Sequence, residues 1–235
     1  MKHILLIRHG QASYFNRNYD QLSDTGRMQA AQIGDHFAAN NMSMHQVFVG
    51  PRQRHRGTWE QIESKVKAAQ HTVGPITIRQ HLDELPAFEI VNAVSADLFE
   101  EKPELKEGFK PDGTPKDPKA HGMAFRIVLD RWAEDYWNLP TLESYQEFEH
   151  RIVCEFNHAV DAIEDGQTAI LITSGGPITV ALRSFGGMHT ESFSSVAFSI
   201  WNGSISHMAW SNGEFSIAQW NLTSHFRSSD LVTSI

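Results

Sequence analysis

Two short segments of this chain are apolar without interruption, Ile4-Leu5-Leu6-Ile7 and Ala169-Ile170-Leu171-Ile172. Runs of that length with no polar alternation predict strands covered on both faces, as in the interior of a parallel sheet. Elsewhere the period lengthens. Ser23 is placed to cap a helix in which Ala30, Ile33 and Phe37 share a face at three-to-four spacing, and Thr58, Ile62 and Val66 repeat the pattern in a second helix. Val47 to Val49 and Ile76 to Ile78 predict two shorter strands, the first ended by Gly50-Pro51. Tyr145, Phe148, Ile152, Phe156, Val160 and Ile163 predict a long amphipathic helix over Glu143 to Ile163. Ser174-Gly175-Gly176-Pro177 then follows the second buried strand, and Pro177 suits the first turn of another helix. Near the end, Ser204 to Trp210 and Glu214 to Trp220 flank Ser211-Asn212-Gly213, a hairpin signal. Strands alternating with helices and finished by a hairpin predict an α/β fold with a mostly parallel central sheet flanked by helices.

The texture changes between Pro86 and about Pro140, where charge, proline and glycine dominate and Lys110 to Pro118 is the least helical part. We expect an inserted, partly mobile lid-like segment rather than a separate domain. The chain is therefore expected to form a single domain over residues 1–235 with an insertion at about 86–140.

Composition narrows the classes of function. With 235 residues, 40% hydrophobic and 20% charged, the chain can bury a sizeable core. No stretch approaches the roughly 18 uninterrupted apolar residues of a membrane span. Met1-Lys2-His3, four apolar residues and Arg8 make too short a run for a secretory signal, so a cytoplasmic location is expected. The single cysteine, Cys154, precludes an internal disulfide and is expected to be a buried packing thiol in the long helix. A formal net charge of −8 argues against nucleic acid or an anionic membrane as partner and leaves room for a small anionic ligand where arginines converge. The 13 histidines include no His-Glu-x-x-His pair and there is no second cysteine, so no metal site is expected. Nothing in the sequence sets the oligomeric state.

In an open α/β sheet, ligands bind beyond the carboxyl ends of the strands, and the two buried strands deliver Arg8-His9-Gly10 and Ser174-Gly175-Gly176 to that edge. Glycines there let backbone N–H groups approach an anion at a helix N-terminus, and an arginine adds bidentate, charge-assisted hydrogen bonds. A neutral imidazole held against a phosphoryl group can attack phosphorus, and a carboxyl group can then supply the leaving oxygen's proton.

These residues resemble a family. Leu6-Ile7-Arg8-His9-Gly10-Gln11 is similar to the signature of the histidine phosphatase (phosphoglycerate mutase-like) superfamily, and Leu22-Ser23-Asp24-Thr25-Gly26 with Gln29-Ala30 resembles its second segment. Gly50-Pro51-Arg52-Gln53-Arg54-His55-Arg56-Gly57-Thr58 resembles the family's Ser-Pro-Leu-x-Arg-Ala-x-x-Thr, and Leu82-Asp83-Glu84 its Leu-x-Glu. Glu143-Ser144 and the closing Asn202, Asn221 and His225 also fit. The resemblance implies a phosphomonoester hydrolase acting through a phosphohistidine on His9, with Arg8 and Arg54 on the phosphoryl group and Glu84 as proton donor. It implies no metal or organic cofactor and a small phosphorylated substrate. Gly175 contributes backbone to the phosphate site; Gln11 and Asn16 either position the phosphate through their amides or serve only the turn after the strand.

One departure bears on activity. Where the family has Ser-His-Gly-Gly, this chain reads Thr173-Ser174-Gly175-Gly176, so Ser174 replaces a second histidine. A neutral hydroxyl donor is worth about half a charge-assisted one. Three outcomes follow: slower catalysis, rescue by another cation, with His207 and Arg52 or Arg56 as candidates, or a protein that binds phosphorylated ligands without turning them over. Phosphoglycerate mutase activity is a further alternative, ranked below hydrolysis because nothing protects a phosphoenzyme from water. Arg52 in place of leucine and His55 in place of alanine make the segment more basic than the family pattern, which suits a more anionic substrate or has no consequence.

Overall fold

Ile4 to Ile7 do form the centre of the sheet. In the computed structural model, which describes residues 1–13, 20–109, 116 and 118–234, strand β1 (Lys2–Arg8) holds Ile4, Leu6 and Ile7 wholly buried. It lies in a six-stranded sheet of order β3-β2-β4-β1-β5-β6, with β2 (Gln46–Val49), β3 (Ile76–Ile78), β4 (Thr168–Thr173), β5 (Ile205–Ser211) and β6 (Glu214–Leu222). The pairings β3-β2, β2-β4 and β4-β1 are parallel; β1-β5 and β5-β6 are antiparallel. The last pair closes through Asn212 and Gly213 at φ 54° and 86°, the two positive values that a two-residue hairpin turn of primed type requires.

Two helices predicted from apolar spacing cover one face. In α1 (Asp24–Ala39) and α2 (Gln53–Ala68), Ile33, Phe37, Ile62 and Val66 meet Leu5, Ile7, Val47, Val49, Ile170 and Ile172 in a single apolar cluster. Those strand positions differ by two, so each strand turns the same face to the helices. The Ser23 hydroxyl accepts the N–H of Gly26 and caps α1. Contact between the start of α1 and the loop after β1 is so close that a Cβ on Gly26 would fall 2.1 Å from the Gln11 carbonyl oxygen. Only glycine fits there.

The remaining helices are α3 (Ala87–Glu101), α4 (Pro103–Lys106), α5 (Pro118–Ala133), α6 (Tyr145–Asp161), α7 (Gly175–Phe185) and α8 (Phe193–Ser199). Among the described residues no helix is long and apolar enough to cross a membrane. Chain contacts divide into two compact units. The first, Met1–Glu84 with Arg151–Thr190 and Ala197–Ile235, contains the whole sheet. The second, Leu85–His150 with Glu191–Val196, gathers around Trp132, whose ring meets Tyr145, Phe148 and Phe193. Its Asp130 accepts hydrogen bonds from the backbone N–H and hydroxyl of Ser194. Within this unit the charged texture of the sequence conceals helices: Ile90, Val94 and Leu98 form a buried four-residue repeat along α3. Of the segment expected to be least helical, Lys110 to Pro115 and Asp117 lie outside the described residues.

One expectation fails. Cys154 is exposed, not buried. The apolar seam of α6 runs through Phe148, Ile152, Phe156 and Ala159, and a residue two positions from both Ile152 and Phe156 projects from the opposite side of a 3.6-residue helix.

Candidate active site

Strand register brings the expected residues together. Arg8 in β1 stands opposite Thr173 in β4, and Val49 in β2 opposite Ile172, so the residues that follow, His9, Gly50 and Ser174, leave the sheet at one edge. The loop at His9 is braced on both sides. Gly10 N–H donates to Thr58 Oγ1 at 3.0 Å, and that hydroxyl donates to the Arg54 carbonyl at 2.8 Å, which ties β1 to α2. Gly203, at φ 66°, directs its N–H to the carbonyls of Arg8 and His9 at 3.0 and 3.1 Å. His225 Nε2 in turn donates to the Gly203 carbonyl at 3.0 Å.

His9 is buried. Its Nδ1 lies 2.7 Å from the Gly10 carbonyl oxygen and its Nε2 lies 3.1 Å from Arg54 Nε. An arginine nitrogen only donates, so the network assigns the proton to Nδ1 and a lone pair to Nε2. Burial, then the Arg54 guanidinium, then His55 and Arg8, hold this imidazole well below its ordinary pKa and keep it neutral. Arg54 itself is 5% exposed and uses three nitrogens on three partners: Nε on His9, Nη1 on Asp20 Oδ1 at 2.8 Å, and Nη2 on Ser174 Oγ at 3.3 Å. Asp20 also accepts the N–H of Gln53 at 2.8 Å and so fixes the start of α2.

Arg8 is half-buried and donates from Nη1 to the Ile200 carbonyl. Ser174 is wholly buried at the junction of β4 and α7, and Gly175 is the first residue of that helix. Glu84 accepts the Gly176 N–H at 3.2 Å, two residues beyond Ser174. Several contacts fasten the segment that carries it: Thr173 Oγ1 donates to the Leu82 carbonyl at 2.6 Å, Arg151 to the carbonyls of His81 and Asp83, and Arg52 to Asp83 Oδ1 at 2.5 Å. Gln11 uses Oε1 to accept the Ser23 hydroxyl at 2.8 Å, which joins it to the α1 cap. Asn16 lies outside the described residues. Among those described, no three His, Cys, Asp or Glu side chains come together as metal donors.

The rescue candidates for Ser174 stand elsewhere. His207 pairs with Leu5 along β1 and meets His3 Nδ1 at 2.9 Å, on the stretch of strand that precedes the site. Arg52 is engaged with Asp83, and Arg56 is exposed. Besides Arg54, the side chain that reaches Ser174 is His55, whose Nε2 lies 2.7 Å from its hydroxyl. Sequence reasoning passed over this contact and over Asp20. A hint existed in both cases: a histidine beside the phosphate-binding arginine, and an aspartate three residues before a helix cap.

Four imidazoles are held below their ordinary pKa, chiefly by burial: His9 and His55 strongly, His207 less so, and His225 to about 4. The unfolded chain therefore binds protons before the folded one does, and stability rises with pH across the interval from the folded values to about 6.5. We predict that the melting temperature falls as pH is lowered from 6.5 toward 4, measured by thermal melts at fixed ionic strength. A melting temperature equal or higher at pH 5 than at pH 7 contradicts these assignments.

The histidine phosphatase superfamily (branch 1) family model matches residues 4–134 and 122–223 of the chain. No curated protein matches the sequence. Among solved structures the chain is similar to Bacillus stearothermophilus YhfR, at TM-score 0.64 and 16% identity over 96% of this chain and 99% of that one. It is similar to an Entamoeba histolytica phosphoserine phosphatase in complex with phosphoserine, at 0.62 and 14% over 96% and 100%. A mycobacterial glucosyl-3-phosphoglycerate phosphatase in complex with VO3 follows at 0.61 and 15% over 95% and 100%.

Proposed function

The chain belongs to the histidine phosphatase superfamily, and from that premise we propose that it is a phosphomonoester hydrolase that works through a phosphohistidine on His9, independently of a metal. We read residues 1–235 as one such domain with the segment at about 86–140 as an insertion. The observation that carries the reading is the lone pair on His9 Nε2, held neutral and in contact with the buried Arg54 guanidinium.

A phosphoryl group entering beside His9 takes over the Arg54 Nε–H that Nε2 accepts, and so frees the lone pair for attack. The Nε2–P bond forms as the ester P–O bond breaks. Arg8 and Arg54 neutralise charge on the non-bridging oxygens, and the Ser174 hydroxyl donates to one of them. Protonated Glu84 gives its proton to the departing alkoxide. In the second half-reaction the Glu84 carboxylate takes a proton from water, which attacks phosphorus; the P–N bond breaks, and orthophosphate leaves with His9 restored. Gly175 offers backbone N–H at the positive end of α7, and the Gln11 amide, whose Oε1 accepts the Ser23 hydroxyl, is read as a further group for the phosphate.

The test is hydrolysis of p-nitrophenyl phosphate in the presence of a chelator between pH 5 and 7.5. We expect turnover that the chelator leaves unchanged. A protein that binds vanadate yet hydrolyses no phosphomonoester is a phospho-ligand binding protein instead.

A further inference from the structure

Three positions that differ from the family's sequence pattern meet around one ring at the end of β4, His55 lying against both Gly50 and Ser174. Ser174 stands where the pattern has histidine, His55 where it has alanine and Gly50 where it has serine. His55, in the first turn of α2, is wholly buried, with its ring centroid 5.5 Å from that of His9 and its Nε2 2.7 Å from Ser174 Oγ. Gly50 makes room for the ring, since a Cβ there would fall 2.2 Å from His55 Nδ1. The imidazole at this spot is carried by the start of α2, and the residues that face it, Gly50 and Ser174, are small.

Hydrogen-bond accounting gives the exchange a chemical meaning. A serine hydroxyl has one proton and two acceptor positions. Arg54 Nη2 donates to Ser174 Oγ. With the His55 proton on Nε2, that nitrogen makes a second donation to Ser174 Oγ, both acceptor positions are filled and the Ser174 O–H is left to donate outward, which is what a phosphoryl oxygen requires; with the proton on Nδ1, toward the Gly50 backbone, the hydroxyl would donate to His55 instead.

Resting on the phosphatase reading of this site, we propose that His55 is a positioning residue which, through Ser174, takes over the task of the missing second histidine. It orients the Ser174 hydroxyl toward the phosphoryl group and polarises it. Gly50, His55 and Ser174 form one exchanged unit.

The experiment is a swap measured by two readouts, kcat and KM for p-nitrophenyl phosphate and the affinity for inorganic phosphate. His55→Ala is expected to lower kcat on the order of 10- to 100-fold, the lower part of the range for losing an oxyanion donor, with a smaller change in KM. His55→Gln, whose amide can donate from nearly the same point, is expected to recover most of that loss. Ser174→His alone sets two imidazoles in the space of one and is expected to lower kcat as well. His55→Ala combined with Ser174→His is expected to exceed either single variant in turnover and in phosphate affinity. If Ser174→His variants fail to fold, the comparison of His55→Gln with His55→Ala decides the matter. Unchanged kcat and phosphate affinity in His55→Ala, or equal losses in His55→Ala and His55→Gln, overturn the proposal. A parent protein without turnover defeats the phosphatase reading but not this one, because the phosphate affinities still report on His55.

Discussion

His9→Ala is expected to reduce phosphomonoester turnover by at least about 1,000-fold, the scale seen when a covalent nucleophile is removed, while the protein stays folded. The reasoning is geometric. His9 Nε2 is the imidazole nitrogen that faces Arg54 with its lone pair, and its Nδ1 proton is committed to the Gly10 carbonyl. The neighbouring His55 differs: it directs Nε2 at Ser174 rather than at open space. Steady-state kinetics on p-nitrophenyl phosphate, with circular dichroism melts as a folding control, give the answer. Retention of more than a tenth of the activity in a folded variant contradicts the assigned nucleophile.

The second large effect concerns Arg54. Its three nitrogens hold His9, Asp20 and Ser174 simultaneously at 3.1, 2.8 and 3.3 Å. Truncation to alanine removes the donor nearest the nucleophile and leaves Asp20 without this ion-pair partner beside the site. We expect kcat/KM to fall about 100- to 1,000-fold. Arg54→Lys is the more discriminating variant. One ammonium on a flexible stem cannot reproduce a planar fork with three separated donors, so it is expected to recover less than about tenfold of the loss. Kinetics and phosphate titration of both variants check this, and a lysine variant with near-parental activity means that charge alone, not the fork, is what the site uses.

Most of this architecture is legible along the chain because its elements are set by local periodicity. The buried runs of β1 and β4 bear no polar residue to reverse their reading, Ser23 marks the start of α1, and Asn212-Gly213 supplies the two positive φ values of the hairpin. The strand-end location of His9 and Ser174 follows from those runs. What the chain does not disclose is contact between distant segments. His55 and Ser174 are 119 positions apart, and only the parallel register of β2, β4 and β1 places the start of α2 against the end of β4. Asp20 was hidden for the same reason, since its partner Arg54 lies 34 positions away. In the second unit the difficulty was local. Acidic residues around Ile90, Val94 and Leu98 obscured a regular four-residue repeat, and the single turn of α4 is too short for any period to show.

The central claim is a covalent bond between His9 and phosphorus, and the most direct measurement looks for it. The protein is mixed with p-nitrophenyl phosphate, quenched in alkali during turnover, digested and analysed by mass spectrometry beside an acid-treated control. Phosphohistidine survives base and hydrolyses in acid. We predict one phosphoryl group on the peptide that carries His9, absent after acid treatment and absent in His9→Ala. Steady turnover with no adduct on that peptide, or an acid-stable adduct on Ser174, contradicts the account.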